Sequence, residues 1–290
     1  MNPINLMNKL VKYCENGDAY KMQEILNSFN DQTFLQVFLN KNGKLFRDAC
    51  YYRYLNIVKL MLEKCEKLEL ENFKIHDILK YKNYSCLSST TTFSSSGVSP
   101  LDVAKYLVEK IKATSGNPQK INAIFSDIKY EPIMNACRNG DLELTKYFAS
   151  EYDLEADVMW ALTTDDENDP NRDSCVYFAI CSLNIDLIKY VVKNAKNRMS
   201  YIDRLINEML YGLHQILFGN EKATKYFNDE NNEQNSLEKM LADLRPMLND
   251  KMYEIVSYLI GQCKIINEEQ ENRCRQEKLD KIMRKNGWRM

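Results

Sequence analysis

The chain has 290 residues, 44% hydrophobic and 28% charged, with a formal net charge of −2. That balance suits a folded protein with a sizeable core and gives no global pull toward nucleic acid or an anionic membrane. Nine Gly and six Pro are too few for the many tight turns of a β-sandwich, and the abundant Leu, Ile, Lys, Glu and Met favour helix, so an all-α fold is expected.

Residues 1–18, MNPINLMNKLVKYCENGD, lack a basic region followed by an apolar run, so no secretory signal is expected. No stretch approaches the ~20 apolar residues that cross a bilayer. The nine cysteines are scattered and never spaced C-x-x-C. That pattern speaks against a disulfide framework or structural zinc and points to a reducing compartment, the cytoplasm.

In chain order, residues 10–27, LVKYCENGDAYKMQEILN, read as two helices joined at Asn16-Gly17-Asp18, where Gly17 is free to take a positive φ. Residues 44–64, KLFRDACYYRYLNIVKLMLEK, repeat the arrangement. Ala49 and Cys50 give a slim inner helix, and Leu55, Ile57, Val58, Leu60, Met61 and Leu62 a fatter outer one. Residues 83–99, NYSCLSSTTTFSSSGVS, are Ser/Thr-rich and predict a mobile loop. Residues 99–110, SPLDVAKYLVEK, open another helix.

Residues 132–150, PIMNACRNGDLELTKYFAS, form the clearest unit. Pro132 is pre-set for the first helical position, Ala136 and Cys137 keep the inner helix slim, and Asn139-Gly140-Asp141 turns the chain. Residues 163–174, TTDDENDPNRDS, predict a solvated acidic finger; a calcium loop counted from Asp165 would place Pro170 where Gly is needed and Val176 where Glu is needed. Residues 175–193 repeat the hairpin around Ala179. In 200–218, Ser200 caps a helix whose apolar stripe predicts burial. Residues 228–236 read as a polar loop. Residues 246–262 hold a half repeat, with Pro246 where an inner helix should run, and 263–290 predict a C-terminal capping helix anchored by Leu279, Ile282, Met283 and Trp288.

RNGDLELTKYF and YLNIVKLMLEK resemble the ankyrin repeat, whose pattern runs T-P-L-H-x-A-A and then x-N-G-H-L-E-V-V-K-L-L-L. Pro100, Leu101 and Ala104 also resemble an ankyrin opening, but no interhelical Gly turn follows, so a single fused helix is the alternative reading. The resemblance implies an ankyrin-like helical-hairpin solenoid over 1–262, with units near 10–27, 44–64, 99–110, 132–150, 175–193 and 246–262. The aligned alanines at 49, 136 and 179 depart from the family period of ~33 residues, so insertions must interrupt the stack. Arg53 and Leu183 stand where the family has Gly, and those two turns are expected to be remodelled.

The resemblance further implies a module that binds a protein partner through the concave face and the fingers. Carried over residue by residue, it selects Tyr51, Tyr52, Arg53 and Tyr54, then Arg138 and Asn139, and the finger residues Asp165, Asp166 and Glu167. Four consecutive large side chains cannot all face a core, and Tyr and Arg dominate interfaces; the plainer reading is that they fill space beside an insertion. A monomer without cofactor, metal, nucleic acid or membrane is expected. Solitary divergent repeats in a Lys/Asn/Ile/Tyr-rich chain also resemble effectors of intracellular bacteria, which act in the host cytoplasm, or proteins of large viruses and protists. The competing expectation is an enzyme whose active site lies in 195–290. His76 and His214 show no nucleophile-pair spacing, and no phosphate loop, G-x-S-x-G or H-E-x-x-H is present.

Overall fold

A computed structural model describes residues 3–39, 43–67, 79, 85–92, 99–115, 131–151, 175–196, 209 and 237–285. Among them the chain is helical and contains no strand. The chain divides into two compact units, Met1–Cys175 and Val176–Met290. The finger at 163–174, the polar loop at 228–236, both histidines and all of 200–218 except the buried Met209 lie outside the described residues.

The first unit opens with α1 (Pro3–Glu15) and α2 (Ala19–Ser28), continues through α3 (Asp31–Leu39), and turns back with α4 (Lys44–Tyr51) and α5 (Leu55–Lys67). A short helix, α6, covers residues 85–91. Then come α7 (Leu101–Ser115), α8 (Glu131–Arg138) and α9 (Leu142–Glu151). Helices α2 and α5, α5 and α7, and α7 and α9 pack in succession as an outer row, while α1 packs on α4. The intervening α3 buries Phe34, Val37 and Phe38 and packs on α1 and α4.

The second unit holds α10 (Cys175–Cys181, whose first residue closes the first unit), α11 (Ile185–Lys196), α12 (Leu237–Leu244) and a single 3₁₀ turn at Arg245–Met247. It ends in α13, a helix of 36 residues from Asp250 to Lys285. The boundary expected between 262 and 263 therefore falls inside one continuous helix. Pro246 does break the helical run, as its missing N–H requires, and α13 starts four residues later.

One burial register recurs on the outer helices. Doublets are buried at Ile57/Val58 and Met61/Leu62, at Val103/Ala104 and Leu107/Val108, at Leu187/Ile188 and Val191/Val192, and at Ile255/Val256 and Leu259/Ile260. Pairs four residues apart stack on one helix face, so each such helix presents an apolar stripe to its neighbours. Beside the stripe, lysines lie over tyrosine rings: Lys59 over Tyr106 at 5.4 Å, Lys105 over Tyr147 at 5.7 Å, and Lys189 over Tyr258 at 5.9 Å. Ser257 takes the lysine's register place in α13, and its buried hydroxyl lacks a hydrogen-bond partner.

Three expectations are corrected here. Residues 85–91 are helical, with Cys86, Leu87, Ser88, Thr90 and Thr91 buried, so this part of the 83–99 stretch is no mobile loop. Its hydroxyls are satisfied locally: Thr90 donates to the Cys86 carbonyl, and Thr91 and Thr92 both donate to that of Ser88, each at 2.9 Å. Second, the ankyrin opening that 99–110 resembles would make it an inner helix; α7 is instead one continuous helix, as the missing Gly turn implies, and lies in the outer row between α5 and α9. Third, the turns at Arg53 and Leu183 are not remodelled. Arg53 has φ 63° and Leu183 φ 56°, against 68° at Gly17 and 71° at Gly140.

Hydrogen bonding explains that agreement. Gly17, Arg53, Gly140 and Leu183 each donate their N–H to the carbonyl three residues back, those of Cys14, Cys50, Cys137 and Ile180. The next N–H, of Asp18, Tyr54 and Asp141, reaches five residues back to Tyr13, Ala49 and Ala136. This nested pair closes a helix end only when the turn residue is left-handed. The full pair holds at Arg53 although it carries a Cβ, and Leu183 makes the first of the two bonds while the Asn184 N–H donates to the Ser182 hydroxyl.

Candidate functional site

The inner helices end on a common edge of the first unit, and the turn residues tie those ends together. Tyr54 follows α4, and its hydroxyl donates to the Glu15 carbonyl at the end of α1, at 3.3 Å. Its ring also lies 3.0 Å from where a Cβ on Gly17 would sit, so Gly17 is held by steric contact as well as by φ. In the other hairpins the corresponding residue caps the outer helix: Asp18 accepts from the Lys21 N–H, Asp141 from Leu144 and Asn184 from Leu187. Tyr54 cannot cap in that way and faces its neighbour instead.

Arg53 continues the chain of contacts. Its guanidinium donates to the Thr92 carbonyl at 3.0 Å and, from Nε, to that of Thr90 at 3.4 Å. From the other side, the Asn139 side-chain amide donates to the Thr91 carbonyl at 2.7 Å. The last described carbonyls of α6 are thus capped by both neighbours, from the turns after α4 and α8. A guanidinium there also faces the negative end of a helix dipole. Burial lowers the Arg53 pKa, and the charge of Asp141 opposes that shift.

The expected interface residues therefore separate into two groups. Arg53, Tyr54 and Asn139 are engaged within the chain. Arg138 is exposed and reaches Asn135 at 3.5 Å. Tyr51 and Tyr52 are half-buried; their rings meet edge to face at 5.2 Å, and Tyr52 stacks on Tyr54 at 5.9 Å with 13° between planes. Burial and the nearby carboxylates of Glu15 and Asp48 push the Tyr52 phenol up. Asp165, Asp166 and Glu167 lie outside the described residues. Glu15 and Thr90–Thr92 were not selected from sequence; the equivalence of Cys14-Glu15 to Cys50-Tyr51, three and two residues before their turn residues, is the signal that places Glu15 on this edge.

The thiols behind the edge are protonated and free. Burial pushes Cys14 and Cys86 up to about 12 and raises Cys50 well above its ordinary value, which makes them inert rather than nucleophilic. Among the described residues no three His, Cys, Asp or Glu side chains converge as a metal site would require, and no helix is long and apolar enough to cross a membrane. Comparison with protein-family models, curated proteins and solved structures finds no match for this chain.

Proposed function

We propose that the chain is a protein-binding module built on an ankyrin-like stack of helical hairpins. The left-handed turn shared by Gly17, Arg53, Gly140 and Leu183 and the recurring buried doublets of the outer helices support the stack. The observation that carries the binding reading is the aromatic column Tyr51–Tyr52–Tyr54. Tyrosine brings a large amphipathic surface with few rotatable bonds, and rings already fixed lose little entropy on binding. Here the fixing is done by Tyr54, anchored on Glu15, and by Arg53, anchored on Thr90 and Thr92.

The test separates contact from anchorage. The 290-residue chain and its Tyr51→Ser, Tyr52→Ser variant, both folded by circular dichroism, are used for affinity capture from eukaryotic lysate. Arg53 and Tyr54 stay unchanged, since their loss would loosen the stack. A partner held by the parent chain and lost from the variant supports the module and this surface. Equal capture by both removes the tyrosine column from the binding face.

A further inference from the structure

Asn16-Gly17-Asp18 and Asn139-Gly140-Asp141 are the same three residues in the same turn. Their glycines have φ 68° and 71°, and each donates its N–H at 3.1 Å to the carbonyl three residues back, Cys14 or Cys137. The following Asp N–H returns to Tyr13 at 2.9 Å or to Ala136 at 3.0 Å. Two asparagines, each followed by the same residues, therefore sit on matching backbone.

Their side chains differ. The Asn139 amide donates to the Thr91 carbonyl at 2.7 Å and so holds part of α6. Asn16 is exposed, and its side chain makes no hydrogen bond among the described residues. Its backbone is no looser for that, because the Tyr54 ring packs on Gly17 and the Tyr54 hydroxyl donates to the Glu15 carbonyl at 3.3 Å.

An asparagine followed by glycine carries its own reactive pair. The glycine nitrogen can attack the side-chain carbonyl carbon, since no Cβ on the glycine blocks the approach. A bond forms between that nitrogen and Cγ, the Cγ–Nδ2 bond breaks, and ammonia leaves with the nitrogen's proton. Water then opens the cyclic imide to aspartate or isoaspartate. The attack needs the side chain to swing onto its own backbone, which Asn16 can do at once and Asn139 only after releasing Thr91.

We propose that Asn139 is a modification site: when its amide lets go of α6 it deamidates, and the product cannot take α6 back. The amide nitrogen is a donor, whereas a carboxylate only accepts, so the product sets oxygen against the Thr91 carbonyl oxygen. The Arg53 guanidinium, which holds the Thr90 and Thr92 carbonyls, would then be shared with the new charge. Isoaspartate also adds a backbone carbon at the turn, where the nested bonds of Gly140 and Asp141 need the ordinary spacing. Release of α6 by Asn139 is reversible before the reaction and permanent after it. The same reaction at Asn16 leaves α6 untouched.

The 290-residue chain is incubated at pH 8, native and in guanidinium chloride, and peptide mapping by mass spectrometry follows the one-dalton gain at each asparagine. In the native chain Asn139 is expected to react about tenfold more slowly than Asn16, the worth of the hydrogen bond that must break first. In denaturant the two rates converge. The consequence is read by amide exchange in Asn139→Asp and Asn16→Asp variants. Exchange at 85–91 should quicken about tenfold in the first and stay at the parent rate in the second. Equal native rates, a difference that survives in denaturant, or exchange at 85–91 that is alike in the two variants would each overturn the proposal.

Discussion

Helices α6 and α8 are neighbouring inner helices whose last described carbonyls draw their donors from different places. Helix α8 closes on itself, with Gly140 and Asp141 returning their N–H groups to Cys137 and Ala136. In helix α6 the last described carbonyls, those of Thr90, Thr91 and Thr92, are taken by Arg53 from one neighbour and Asn139 from the other. The last carbonyls of a helix must find donors somewhere. Long side chains from adjacent hairpins can meet that need, and those side chains then look like an exposed interface in the sequence.

The sharpest contrast is chemical. Cys86 lies buried in α6, whereas Cys181, at the end of α10, is exposed. With iodoacetamide at pH 8 and peptide mapping by mass spectrometry, Cys181 is expected to label about a hundredfold faster, the ratio set by a local opening of about 3 kcal/mol. Equal rates would mean that α6 does not pack as described. The pH dependence has a defined direction. Cys86 rises from an ordinary 9.0 to about 12 on burial, so unfolded thiols ionise first. Stability from its burial is complete below pH 9 and declines as pH climbs toward 12, which urea midpoints across that range would show.

Arg53 separates capping from backbone strain. Arg53→Ala removes both guanidinium bonds and keeps a Cβ at positive φ, and is expected to cost about 2 kcal/mol by urea denaturation. Arg53→Gly loses the same bonds but relieves the left-handed strain, so it should cost about 1 kcal/mol less. If neither variant moves the midpoint, the cap on α6 contributes nothing. The smallest effect belongs to Asn139→Ala, about 1 kcal/mol from one neutral hydrogen bond, with faster amide exchange at 85–91 as its local mark.

The same pair shows what could be read from sequence. Helix α8 was legible because Pro132, Ala136 and the Asn139-Gly140 turn each announce a local structure by their own chemistry. Helix α6 was not, because a run of Ser and Thr looks solvated until each hydroxyl is seen to fold back on a carbonyl of its own helix. Arg53 and Leu183 misled for a related reason. A left-handed φ costs a residue with a Cβ only about 1–2 kcal/mol, less than the two nested hydrogen bonds it permits. The cluster Tyr51–Tyr54 was found from sequence, but its division into anchors and presented rings depends on contacts with Glu15 and Thr90–Thr92, roughly 40 residues away along the chain.

The shared closure of α6 also limits how freely this array can be edited. In a stack whose units each finish their own helices, one unit can be removed and the gap closed, since every piece carries its complete hydrogen bonding. Here, excising the hairpin that bears Arg53 or the one that bears Asn139 would strip donors from a helix belonging to neither. The segment from α4 to α8 is therefore expected to behave as one block, and an excision would be tolerated at its borders rather than within it.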